Sequence, residues 1–175
     1  MNQDTAAHTG NKQLLAQWIA RYSDVILRTS YVYLHDPGQA EDAMQDTFLK
    51  AYQSIDKQNP DKILSEKAWL MRIAINVCHD YHRSRWFRYI DKTKSAEDIP
   101  RTQPETLPQD RALLDEIYRL PEAAKQVLLL YYYQEMTLQE TADVLNISRS
   151  AVHKRLLKAQ KLLKGKLTGR DIDDE

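Results

Sequence analysis

The 175-residue sequence contains few of the residues that cross-link or interrupt a chain: one cysteine, four glycines and six prolines. Cys78 has no second cysteine to pair with, which argues against a disulfide-stabilised secreted domain. The longest apolar run, Val127 to Tyr133, is far too short to span a bilayer. Residues 1–12 have neither a basic leader nor an apolar core, so we expect no signal peptide and a cytoplasmic protein.

The sequence also lacks net charge, because 25 Lys and Arg balance 25 Asp and Glu. Neutrality would argue against nucleic-acid binding if the charges were evenly spread, but they are segregated. Residues 36–61 carry −4, residues 67–94 carry +5 and residues 95–117 carry −4, whereas residues 148–170 hold eight bases and no acid. Such blocks indicate separate electrostatic roles, although blocky charge on solvated helix faces is the alternative explanation.

Most of the chain shows the 3–4 spacing of apolar residues that is typical of helices, and no stretch alternates as a strand does. Breaks at Asp36-Pro37-Gly38 and Asn59-Pro60-Asp61 separate the first helices. Residues 93–110 contain half of the prolines and read as a linker. We predict helices over Leu14–Leu34, Gln39–Ile55, Glu66–Trp86, Arg111–Arg119, Glu122–Gln134, Leu138–Leu145 and Ser148–Leu163, with Gly165 just past the last. The predicted class is all-α, with two small helical domains joined by a flexible linker.

The second domain contains the signature of a helix-turn-helix. Thr137 and Glu140 have the spacing of a capping box, which predicts a helix that starts at Leu138. Ala142 is small enough for two helices to cross closely, and Asn146 tolerates the left-handed conformation that the turn requires. Val152 is expected to point back into the core. A small residue, a turn residue and a buried aliphatic at these spacings predict DNA binding.

The second helix of this motif is capped by a serine, and its outer face is rich in hydrogen-bond donors and cations. Donors near its start suit base edges, and cations beside them suit phosphates. The alternative is a basic amphipathic helix that only keeps the protein soluble. The candidate DNA-binding residues are Ser148, Arg149, Ser150, His153, Lys154, Arg155 and Lys158.

Cys78, His79 and His82 raise the alternative of a metal or catalytic site, since they could present two or three ligands on one helix. The helix that carries them is predicted to be a core helix, and no further ligands cluster nearby in the sequence. Neither a glycine-rich phosphate loop nor a zinc-protease motif is found. We therefore predict no metal, no cofactor and no enzymatic activity.

Three segments, in order, resemble the sigma factors of bacterial RNA polymerase. Ala40–Gln53 (AEDAMQDTFLKAYQ) resembles the helix that binds core polymerase, and Ala68–Arg85 (AWLMRIAINVCHDYHRSR) is similar to the helix that melts the promoter and reads its −10 element. Arg119–Ala159 resembles the region that reads the −35 element. The compact plan resembles the extracytoplasmic-function (ECF) group. It implies sigma region 2 over residues 12–90, a linker over 91–110 and sigma region 4 over 111–167.

The resemblance assigns a role to each surface of the first domain. It implies that the second helix docks on the clamp helices of the polymerase β′ subunit through Glu41, Asp42, Gln45, Asp46, Leu49 and Lys50, although a solvated helix face would also explain the acids. It implies that the third helix binds single-stranded −10 DNA, with Asn76 and the loop 57–66 around a flipped base. The −10 candidates are Arg72, Asn76, Asp80, Arg83, Ser65 and Lys67.

The remaining partners also follow from the resemblance: the polymerase β flap, −35 duplex DNA and an anti-sigma factor, which for ECF relatives is commonly membrane-bound. Trp86, Phe87 and Tyr89 could form a stacking surface or simply pack a helix end. The competing function is an ordinary helix-turn-helix regulator, which would bind promoter DNA without polymerase and would need a dimer interface or ligand pocket. The sigma hypothesis instead predicts weak binding to free DNA.

Overall fold

The computed structural model describes residues 3–55, 65–91 and 111–168, and every regular element in these ranges is helical. The predicted all-α class is confirmed. The chain divides into two compact units, residues 1–104 and 105–175. The elements are α1 (Gln3–Leu34), α2 (Pro37–Ile55), α3 (Glu66–Asp91), α4 (Arg111–Tyr118), α5 (Glu122–Leu128), a π-helical turn (Leu129–Tyr133), α6 (Leu138–Leu145) and α7 (Arg149–Thr168).

The first unit is a three-helix arrangement in which α1, α2 and α3 each pack against the other two. Ile26, Tyr33 and Leu70 are completely buried between them. The rings of Trp18 and Trp69 lie 5.2 Å apart at 57°, which joins α1 to α3 in a tilted aromatic contact. Burial of each large apolar side chain contributes about 1.5–3 kcal/mol, so this interior provides most of the unit's stability.

The start of α1 differs from the prediction. The helix begins at Gln3 rather than near Leu14, because the apolar stripe marks only the part that packs against other helices. Gly10 does not interrupt it, since a lone glycine in an exposed helix costs only about 1 kcal/mol. The apolar side chain of Ile19 is 42% exposed, since it is rotated by about 100° from the buried Trp18.

The break between α1 and α2 lies where the sequence predicts it, but α2 begins at Pro37 rather than near Gln39. The backbone N–H of Gln39 donates to Asp36 Oδ1 at 3.0 Å, so Asp36 caps the new helix. Pro37 then occupies a first-turn position, where its missing N–H costs nothing. His35 has a φ of 56° and ends α1 in the left-handed conformation.

Two helix ends extend beyond their predicted limits. The third helix continues to Asp91 rather than stopping at Trp86, and α7 continues to Thr168, so Gly165 lies inside the helix and is not its terminator. The side chains of Trp86, Phe87 and Tyr89, the loop 56–64 and the linker residues 92–110 lie outside the described residues. The predictions made for them, and the domain limits that depend on the linker, therefore stay predictions.

The second unit packs α5, α6 and α7 around a small aliphatic core of Leu120, Ala124, Val127, Leu128, Ala142, Val152, Leu156 and Ala159. The predicted single helix from Glu122 to Gln134 is instead α5 followed by the π-helical turn, in which the N–H of Gln134 donates to the carbonyl of Leu129 at 2.9 Å. Leu129 and Leu130 in this turn are buried, whereas Tyr132 is 52% exposed.

Lys125 is the unexpected member of this interior, because it is only 1% exposed. Its Nζ lies 4.6 Å from the centre of the Tyr118 ring, a cation–π contact that links α5 to α4. Burial lowers the pKa of Lys125 below its ordinary value, and the Glu122 carboxylate opposes that shift. The lysine stem thus fills the space that an aliphatic side chain would otherwise take.

Candidate nucleic-acid and protein interfaces

The helix-turn-helix of the second unit has the predicted local geometry. The N–H of Thr137 donates to Glu140 Oε2 at 2.8 Å, and the N–H of Glu140 donates to Thr137 Oγ1 at 3.2 Å, which completes the capping box of α6. Asn146 ends α6 with φ 52° and ψ 46°, in the left-handed region. Ala142 and Val152 are 2% and 0% exposed, so the helices cross where the sequence predicts.

The start of α7 is set by Ser148, which lies just before it. Its Oγ accepts from the N–H of Ala151 at 3.2 Å and lies 3.1 Å from Ser150 Oγ. The serine therefore acts as the predicted helix cap. The capping bond uses one of the hydrogen-bond acceptor positions of its hydroxyl, so that position is not open to a DNA contact. The N–H groups in the first turn of a helix point out of its N-terminal end, which makes this end of α7 favourable for a phosphate.

The α7 surface, as we name the seven candidate DNA-binding residues at 148–158, is almost wholly open to solvent. Arg149, Ser150, His153, Lys154 and Lys158 are exposed, and Arg155 is half-buried. Leu157 was not among the candidates, yet it is 54% exposed and lies one turn beyond His153 and Lys154. Helical spacing from those two residues would have identified it, because i and i+4 share a face.

On α3, Arg72, Asn76, Asp80 and Arg83 form the α3 face, and all four are exposed, in agreement with their spacing. The other two −10 candidates differ in position. Ser65 accepts from the N–H of Ala68 at 3.2 Å and caps α3, and Lys67 is half-buried.

The α2 surface consists of the six residues proposed for polymerase binding. Five of them are exposed: Glu41, Asp42, Gln45, Leu49 and Lys50. Leu49 is 54% exposed, an apolar side chain among acids. Asp46 differs because it is half-buried and accepts a hydrogen bond from Tyr81 at 2.8 Å. Lys50 Nζ lies 3.7 Å from Asp80 Oδ2, so the α2 surface and the α3 face meet along one edge.

The residues considered as metal ligands do not converge. Cys78 is buried, and this burial raises the pKa of its thiol to about 11, whereas His79 is exposed beside Asp80. Within residues 3–55, 65–91 and 111–168, no three His, Cys, Asp or Glu side chains are grouped so that they could hold a metal. The same ranges contain no helix that is both long and apolar enough to cross a membrane.

An all-helical chain with a capped helix-turn-helix and an exposed basic second helix defines a class, the two-domain helical DNA-binding proteins. Two family models then match in order: sigma-70 region 2 over residues 18–88 and sigma-70 region 4 over residues 117–164. The chain therefore belongs to the sigma-70 family of RNA polymerase sigma factors, and its relatives place it in the ECF group.

The ECF RNA polymerase sigma factor SigW of Bacillus subtilis is 26% identical to this chain over 172 residues, which cover 90% of this chain and 91% of that protein. A probable RNA polymerase sigma factor, RfaY of Xanthomonas campestris, is 27% identical over 176 residues, or 94% of this chain. This chain spans 43% of the length of RfaY.

Among solved structures, the sigma factor RpoE of Bartonella quintana, determined with the anti-sigma factor NepR, has a TM-score of 0.70 with this chain. The likeness covers 87% of this chain and 96% of that one at 18% identity, and it concerns the fold.

Proposed function

We propose that this ECF sigma factor binds core RNA polymerase and directs it to specific promoters, acting in the cytoplasm and catalysing no reaction itself. The observation that carries the proposal is α7: an exposed basic helix that follows a tight capped turn, on a chain whose first unit presents a separate acidic surface. A chain that only bound DNA would have no evident use for the second surface.

The α2 surface is the proposed contact with polymerase. Its acids suit basic groups on a partner, and the exposed Leu49 supplies an apolar contact within the polar surround. By family resemblance the partner is the pair of clamp helices on the β′ subunit. Contact of the second unit with the β flap is proposed on the same ground.

The α3 face is the proposed contact with the −10 strand. Arg72 and Arg83 place cations about three turns apart along the helix, and Asn76 between them offers both a donor and an acceptor to an unstacked base. Asp80 would repel a phosphate if it were unpaired, but its carboxylate lies 3.7 Å from Lys50. The face as a whole thus suits a separated DNA strand.

The α7 surface is the proposed contact with duplex DNA at the −35 element. Arg149, Ser150 and His153 lie in the first turns, where side chains of a recognition helix reach base edges. Lys154 and Lys158 follow on the exposed side and would contact phosphates.

An anti-sigma factor is the further partner that we propose. The Bartonella RpoE was solved with an anti-sigma factor bound, and such a partner here would cover the polymerase-binding or DNA-binding surfaces. A regulator that binds promoters without polymerase is not favoured, because two sigma regions match in order along the chain.

Transcription in vitro with purified bacterial core polymerase tests the proposal. Core polymerase with the full-length protein should initiate at a subset of promoters on fragments from the source genome, and core alone should not. If no promoter is used and no complex with core forms, the proposal is wrong. Specific binding to a promoter by the protein alone would instead support the simpler regulator.

A charge reversal on α2 tests the assigned surface. Asp46→Lys should weaken binding to core polymerase, because it places a cation where a basic partner is expected. Asp24→Lys is the matched control, because this substitution makes the same charge change on α1. In the described part of the chain, Asp24 forms an ion pair with Arg28 alone. Equal losses in the two variants would refute the assignment of the α2 surface.

A further inference from the structure

Two polar contacts join α2 to α3 at the edge of the α2 surface. The hydroxyl of Tyr81 donates to Asp46 Oδ2 at 2.8 Å, and Lys50 Nζ lies 3.7 Å from Asp80 Oδ2. Asp46 and Lys50 are one turn apart on α2, whereas Asp80 and Tyr81 are consecutive on α3. The two contacts therefore lie side by side, and both involve residues proposed to meet polymerase.

The two contacts differ in strength. The side chains of Lys50 and Asp80 are 51% and 59% exposed, so water weakens their attraction and the pair contributes little. The bond from Tyr81 is shorter, half-buried and made to a charged acceptor, which places it among the stronger hydrogen bonds of a protein. Burial raises the pKa of Tyr81 to about 12, and the Asp46 and Asp42 carboxylates add to the effect. The hydroxyl consequently stays protonated and can donate at any working pH.

We propose that Tyr81 is a positioning residue for polymerase binding: its hydroxyl holds the Asp46 carboxylate in the orientation in which it meets the core enzyme. The inference rests on the proposed function of the α2 surface. An ionised carboxylate has about four acceptor sites, and Tyr81 takes one of them on Oδ2. The remaining sites are left for a basic group of the partner.

The benefit of this arrangement is an entropic one. The long side chains of the α2 surface, such as Glu41 and Gln45, are exposed and lose rotamer freedom when a partner immobilises them. Asp46 is already held from the neighbouring helix, so it meets the partner with less freedom to lose. Loss of the hydroxyl should weaken core binding by about two- to tenfold, the range expected for one newly immobilised side chain.

The test compares two Tyr→Phe variants of the full-length protein by their Kd for core polymerase without promoter DNA. Tyr81→Phe removes the bond to Asp46 and should raise the Kd. Tyr22→Phe is the matched control, because its hydroxyl also donates to a carboxylate on α3, Glu66 Oε2, at 3.1 Å. Both variants should lose some thermal stability, but Tyr22→Phe should keep the parental Kd. A role of Tyr81 in stability alone would leave the two variants with the same affinity.

A double-mutant cycle with Asp46→Ala completes the test. Asp46→Ala should itself weaken core binding, and adding Tyr81→Phe to it should cause no further loss. An unchanged or tighter Kd for Tyr81→Phe, or an undiminished effect in the Asp46→Ala background, overturns the positioning role. If Asp46→Ala binds core as the parent does, the polymerase assignment of Asp46 falls, and the positioning role falls with it. If Asp46→Ala weakens core binding but Tyr81→Phe does not, the positioning role of Tyr81 is wrong and the proposed function stands.

Discussion

Replacement of Lys154 by alanine removes one proposed phosphate contact from α7 with little effect on folding. The side chain is exposed in the second turn of the helix, and no described residue between 148 and 165 is acidic. Alanine keeps the helix, since it has the highest helix propensity. The change should therefore alter the affinity for DNA while the second unit stays folded.

The magnitude follows from counterion release. Each phosphate contact on duplex DNA contributes about 0.9 to the slope of log K against log salt. The exposed cations of α7 within the described side chains are Arg149, Lys154, Lys158, Lys161 and Lys164. If all of them contacted phosphates, α7 would contribute a slope of about 4.5, of which Lys154 would supply about 0.9. Between 50 and 200 mM salt, one contact corresponds to roughly a 3.5-fold change in affinity.

The assay measures holoenzyme binding to a −35-containing promoter over that salt range, for the parent, Lys154→Ala and Lys12→Ala. Lys12 is an exposed lysine on α1, outside every proposed interface, and its replacement by alanine makes the same change in net charge as Lys154→Ala. The slope should fall by about one unit for Lys154→Ala and stay unchanged for Lys12→Ala. An unchanged slope for Lys154→Ala, or equal reductions in both, would refute the assignment of the α7 surface to DNA.

Two further predictions concern the folding of each unit. Thr137→Ala should lower the free energy of unfolding by about 1 kcal/mol, because the capping box of α6 is lost. Thr137→Ser should keep most of the parental stability, because serine can make the same cap. Equal thermal unfolding of the two variants would contradict the role of Thr137 as a cap. The folded-state pKa of Cys78, about 11, lies above its ordinary 9.0, so its contribution to stability is complete below pH 9 and declines as the pH rises toward 11. Urea unfolding should therefore show a loss of about 1 kcal/mol from pH 8 to pH 10 that Cys78→Ala lacks, and equal pH profiles would contradict the burial of the thiol.

Features of the structure that depend on neighbouring residues were predictable from the sequence. The capping box at Thr137, the left-handed Asn146 and the exposed face of α7 all rest on residues within about one or two turns of each other. Local hydrogen bonds and helical spacing decide such features. Helical spacing likewise accounts for the common face of Arg72, Asn76, Asp80 and Arg83 on α3, where all four are exposed.

Features that depend on distant contacts were not predictable. The sequence places Asp46 among the polymerase-binding candidates, but its hydrogen bond with Tyr81 joins residues 35 positions apart, so the sequence does not show that this carboxylate is half-buried and held. The bond between Gln160 Nε2 and the hydroxyl of Tyr132 spans 28 positions, from α7 to the π-helical turn. Lys125 has no sequence signal for burial, because its position becomes interior only when α4 and α5 close around it.

By itself the sequence determined the all-helical class, the helix-turn-helix and the segregated charges behind a net charge of zero, since these rest on local pattern and composition. Only the tertiary structure decided which of the charged side chains are held and which are open. The packing of α2 on α3 ties Asp46 to Tyr81 and brings Lys50 near Asp80, while Glu41 and Asp42 stay in solvent. The physical reason is that a helix face is set by a period of 3.6 residues, whereas a cross-helix contact is set by how two helices pack.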